Sequence, residues 1–106
     1  MDLEEARSEI AGIDREMAGL FCRRMRAAAA IAGYKKDRGL PVKDEAQEKR
    51  VRERNLALLE DRTLAPYYLS FLEGLLALSK AYQEEILSGK NGETGIPDGE
   101  KGGAEG

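Results

Sequence analysis

The run from Asp2 to Arg38 constrains this chain more than anything after it. It contains no proline, and Leu3, Ala6, Ile10, Ile13, Met17, Leu20, Phe21, Ala28 and Ile31 recur along it at the three-and-four spacing of one helix face. A single helix of that length spans about 50 Å at 1.5 Å per residue. Its apolar stripe needs a partner surface of similar length. Gly39 is placed to stop the helix, and Pro41 confirms the break.

The helices that follow are shorter. Asp44 is a good N-cap for a second helix, and Gln47, three residues on, completes a pattern like a capping box. That helix is expected to continue through VRERNLALLE to about Arg62. A third starts near Thr63 or Leu64, with Pro66 tolerated in its first turn. It runs through YYLSFLEGLLALSKAYQEEIL to about Leu87. Gly74 weakens it locally, by roughly 1 kcal/mol relative to Ala. Residues 1–88 thus read as one all-α domain of three helices, one long and two shorter. Residues 89–106 hold seven of the twelve glycines, so they cannot bury a core and are expected to form a disordered tail.

Helices two and three are each roughly half to two-thirds the length of the first. Neither covers the long stripe in a compact monomer. The simplest remedy is a second copy of the chain in a twofold dimer. A three-helix monomer with a bent first helix is the alternative.

Composition narrows the function. A formal net charge of -3 argues against a nucleic-acid partner. With no His and the single cysteine Cys22, neither a Cys/His metal site nor an intramolecular disulfide is expected, and a reducing compartment suits the chain. The acidic, amphipathic start MDLEEARSEI does not read as a signal peptide, and no stretch approaches the ~20 apolar residues of a membrane helix. The expected setting is the cytoplasm.

The charges then divide by helical face. At 100° per residue from Ile10, Leu20 falls at about 280°, Met17 at about 340° and Ala28 at about 0°. Arg24, at about 320°, and Lys35, at about 340°, lie in the middle of that stripe, whereas Arg23 and Arg26 point away as a solvated face. Arg7 sits on the stripe's shoulder. In the third helix Ser79 and Gln83 are central to the apolar face of Leu72, Leu75, Leu76 and Ile86. In the second, Glu48 shares a side with Val51, Leu58 and Leu59. Buried charges are costly unless paired. One account is a structural network in which Glu48 neutralises Arg24 or Lys35. The other is an internal, mostly cationic pocket for an anion, built from inward side chains of facing helices. Arg7 lies about 25 Å from Arg24 along one straight helix, so it reaches such a ligand only from a partner chain.

The ordered set Arg7, Arg24, Lys35, Asp44, Glu48, Ser79 and Gln83 resembles the all-helical chorismate mutases. The surrounding text agrees, with ARSEIAGIDREM in the first helix, YKKDRGLPVKDEAQEKRV across the turn and SKAYQ in the third. The likeness covers about Leu3 to Leu87. It implies an intertwined helical homodimer with two equivalent sites, which rearranges chorismate to prephenate without a cofactor, at the head of phenylalanine and tyrosine synthesis. By the same resemblance, Lys35 and Gln83 hydrogen-bond the ether oxygen as its bond breaks. Arg24 and Arg7 of the partner subunit hold carboxylates, and Ser79 assists. Glu48, with the Asp44 backbone amide, binds the ring hydroxyl. The absence of any convincing nucleophile or general acid–base pair suits a pericyclic shift, whose demands are conformational restraint and charge stabilisation.

There is one departure. Many family members carry Arg immediately before the catalytic Glu, and Gln47 stands there instead. Arg50 compensates only if it points inward. Two other readings remain. A related activity on the same fold removes pyruvate from isochorismate. A non-enzymatic helical dimerisation module would use Arg24 and Lys35 in structural ion pairs.

Overall fold

A computed structural model describes residues 1–89. These form an all-α chain of three helices: α1 (Leu3–Arg38), α2 (Glu45–Leu58) and α3 (Ala65–Ser88), with a short 3-10 turn at Arg62–Leu64 before α3. The expected disordered tail falls, from residue 90 onward, outside the described residues.

α1 is unbroken, as its periodicity requires. At its start Asp2 accepts from the Glu5 amide at 2.8 Å, and the Glu5 side chain accepts from the Asp2 amide at 3.1 Å. This full capping box satisfies two of the donors a helix start leaves open. At its end Gly39 takes φ +67°, the left-handed conformation that glycine adopts without strain. The Gly39 and Leu40 amides then donate to Lys36 and Lys35 carbonyls at 3.3 and 2.8 Å, closing a Schellman motif.

α2 ends at Leu58, four residues before its expected end at Arg62. The reason is local chemistry. The Asp61 carboxylate accepts from the Thr63 amide and hydroxyl at 3.0 and 2.6 Å, which starts the 3-10 turn instead of continuing α2. The Thr63 hydroxyl, followed by its amide, holds the Asp61 carboxyl below its ordinary range. Arg62 reaches back to the Leu56 and Leu59 carbonyls at 2.5 and 3.2 Å, adding a side-chain donor at the end of α2, where the Leu59 amide also donates to Leu56 at 3.1 Å. Pro66 lies in the first turn of α3, where its missing donor costs no hydrogen bond.

α3 is the hub: it packs against both α1 and α2, while among the described residues α1 and α2 do not pack directly on each other. α2 and α3 run antiparallel, since Glu48 meets Lys80 and, one turn later, Arg52 meets Glu73 seven residues earlier. The guanidinium of Arg52 hydrogen-bonds the Glu73 carboxylate, holding that carboxyl below its ordinary range and raising the guanidinium in turn. The small core comprises Ala28 and Ala32 of α1, Val42 of the loop, Val51 of α2 and Leu72 of α3. Among the described residues, nothing covers the first half of α1. Ile10 and Leu20 are 50% and 56% exposed, and Leu3, Ile13 and Met17 share that face. Tyr67, Phe71 and Leu78 of α3 are exposed too. No helix among the described residues is long and apolar enough to cross a membrane.

Candidate active site

The second half of α1, the loop after it, α2 and α3 enclose a cleft of about 350 Å³. That volume lies at the small end of the range for small-molecule pockets. Arg24, Lys35, Asp44, Glu48, Ser79 and Gln83 all line it. Arg7 does not; it is exposed on the uncovered half of α1.

The two α1 cations are held rather than loose. Arg24 Nη1 donates to Ser79 Oγ at 2.6 Å, and Ser79 is itself buried. Lys35 Nζ donates to the Val42 carbonyl at 2.9 Å. That bond folds the GLPVKD turn back over the end of α1, and buried Val42 packs beneath it. Apolar walls from Ala27, Ala28, Ile31, Val51 and Leu76 surround these polar groups. Electrostatic interactions in such a setting exceed their strength in water.

Glu48 neutralises neither Arg24 nor Lys35. Its carboxylate meets Lys80 Nζ at 3.0 Å and Arg52 Nη2 at 3.5 Å. The antiparallel pairing of α2 with α3 brings Lys80 closer to it than any cation of α1. The structural network expected from sequence is therefore not formed: the ion pairs of Glu48 and Glu73 join α2 to α3, and no carboxylate among the described residues pairs with Arg24 or Lys35.

At the mouth, Asp44 caps α2 by accepting from the Gln47 amide at 3.1 Å. The reciprocal half of the box is absent. Gln47 Oε1 instead accepts from Arg50 Nε and Nη2 at 3.0 and 2.9 Å. The Asp44 amide is left without an acceptor among the described residues. Arg50 therefore turns to Gln47 rather than into the cleft. Gln83 Oε1 is buried with no hydrogen-bond partner among the described residues. An unpaired buried acceptor costs about 1–3 kcal/mol, a cost that a ligand donor would relieve.

Two lining residues, Lys80 and Arg54, were not singled out from the sequence. Lys80 follows Ser79 on the shoulder of the α3 stripe, and its long stem brings the ammonium to Glu48. Arg54 lies three residues after buried Val51 on α2, a spacing that shares a helix face. Arg24, Lys35, Arg54 and Lys80 oppose Asp44 and Glu48, so the lining is net cationic.

Among the described residues these features define an all-helical protein with a net-cationic cleft between its helices. The family profile for chorismate mutase type II matches residues 6–84, which takes in every residue lining that cleft. The chain belongs to the chorismate mutase type II family. No curated protein and no solved structure matches it significantly.

Proposed function

We propose that the protein is a chorismate mutase, converting chorismate to prephenate on the way to phenylalanine and tyrosine. The observation that carries this reading is the convergence of Arg24, Lys35, Glu48, Ser79 and Gln83 on one cleft in a chain of this family.

The reaction moves electrons within one molecule, breaking an ether C–O bond as a C–C bond forms. The protein has to hold the folded conformer and stabilise negative charge on the ether oxygen. Arg24, braced by Ser79, offers a guanidinium fork to one carboxylate. Lys35, fixed by the Val42 carbonyl, has further ammonium protons for the ether oxygen. The Gln83 side-chain amide nitrogen is the second donor there. Glu48 accepts from the ring hydroxyl, and the open Asp44 amide donates to it.

The active unit is a homodimer. The uncovered faces of α1 and α3 bury each other across a twofold axis, and Arg7 of the partner subunit supplies a further guanidinium. The exposure of Ile10, Ile13, Met17 and Leu20 along one face of α1 supports this assembly.

Incubation with chorismate, then with isochorismate, followed by identification of products, tests the reading. Prephenate from chorismate is the expected result. Pyruvate from isochorismate alone would move the protein to the lyase reaction, and inertness toward both would make it a helical dimerisation module.

A further inference from the structure

We propose that Arg54 is a substrate-binding residue, the guanidinium that receives a carboxylate at the α2 wall of the cleft. This rests on the chorismate mutase reading and adds a residue to it. Four cations line the cleft, and three are engaged. Arg24 holds Ser79, Lys35 holds the Val42 carbonyl, and Lys80 is paired with Glu48. Arg54 has no hydrogen-bond or ion-pair partner among the described residues, whereas the neighbouring α2 arginine Arg52 is paired with Glu48 and Glu73.

Its position follows from the helix. Arg54 is seven residues after Gln47, so the two lie within about 20° of each other on the α2 surface. Helical side chains lean toward the N-terminus, which turns Arg54 back over Val51 toward the cleft. Arg50 is about 60° away from Gln47 and is occupied by it. Gln47 lines the cleft without a charge to offer an anion. A dianion brings two carboxylates, and within one chain Arg24 and Arg54 are the only guanidinium forks lining the cleft among the described residues.

The chemistry separates this role from that of Lys35. Carboxylate charge is the same in substrate and transition state, so a group binding it contributes equally to both. Removing such a group raises KM and leaves kcat nearly unchanged. The test is steady-state kinetics on chorismate together with calorimetric binding of prephenate, for wild type, Arg54→Ala, Arg54→Gln and Arg54→Lys. KM and the prephenate Kd should rise about 10- to 100-fold in Arg54→Ala and Arg54→Gln, with kcat within about twofold. Arg54→Lys, which keeps the charge and loses the fork, should fall between. Lys49→Ala, on the opposite side of α2, should match wild type. Unchanged KM and Kd in folded Arg54→Ala or Arg54→Gln, beside an active wild type, overturn the role of Arg54 and leave the mutase reading standing. A fall in kcat at constant KM overturns it as well. A wild type that neither turns over chorismate nor binds prephenate removes both.

Discussion

Gln47 Oε1 accepts two hydrogen bonds from Arg50, at 3.0 and 2.9 Å, and the amide of Asp44, which Gln47 could otherwise cap, has no acceptor among the described residues. At the head of α1 the equivalent side chain, Glu5, closes on the Asp2 amide instead. The same local code thus has two outcomes, and the difference lies in a neighbour three residues along the helix.

Arg50→Ala should therefore release Gln47 to complete its box over Asp44. The variant exchanges an exposed i,i+3 pair, worth about 0.2–0.5 kcal/mol, for a cap hydrogen bond of about 0.5–1.5 kcal/mol. Thermal stability should hold or rise slightly, while kcat/KM for chorismate falls severalfold as the Asp44 amide becomes occupied. Melting curves and kinetics on the same preparation check both halves. Full activity in Arg50→Ala would remove the Asp44 amide from the site.

Gln83→Glu turns a neutral donor into a group whose effect depends on pH. An ionised carboxylate repels charge growing on the ether oxygen, whereas a protonated one donates to it. Activity should be poor at neutral pH and recover as pH falls. The wild type should lack this rise. A flat profile in a folded variant would place the ether oxygen away from Gln83.

Lys35→Ala should lower kcat by about 10²–10³, the usual cost of losing a preorganised donor to a developing anion. It also removes the tie to Val42, so a modest loss of stability accompanies it. Mixed with inactive Arg7→Ala and allowed to exchange subunits, this variant should regain activity. In such a heterodimer one site carries both defects and the other neither. Demonstrated heterodimers without recovery would sink the shared site.

Acid should loosen the α2–α3 pairing first. The Arg52 guanidinium holds the Glu73 carboxyl below its ordinary value of 4.5, so the folded state binds the proton less readily than the unfolded one. This contribution is present above the unfolded value and is lost as pH falls through the lowered folded value. Asp61, held down by Thr63, acts in the same direction. Urea midpoints should change little from neutrality to about pH 5 on this account and fall below it. Glu73→Gln should show a shallower acid decline, and an unaltered slope would exclude that pair as a contributor.

The sequence made the helices legible where one signal was strong. Gly39 after a proline-free periodic run marked the end of α1, and Asp44 marked the start of α2. The end of α2 was less plain. Leu58 and Leu59 continued the apolar pattern, and only the hydrogen bonds of Asp61 to Thr63 decided the turn. Helical angles singled out Arg24, Lys35, Ser79 and Gln83 as intruders on apolar faces, and all four line the cleft. Angles describe one helix at a time, however. They carried no information on which cation faces Glu48 across α2 and α3, so Lys80 was passed over. Arg54 was passed over because an exposed arginine on a charged helix resembles any solvated one until the cleft beside it is seen.

α3 is the last helix among the described residues, and both others depend on it for their packing. At translation rates of about 5–20 residues per second, α1 spends several seconds outside the ribosome before its partner helix is complete. The Arg24–Ser79 bond alone spans 55 residues. Local helix formation can begin early, but the tertiary structure cannot accumulate piece by piece behind it. The cleft closes in one late step, after the N-terminal helix has waited unpaired through most of the synthesis of the domain.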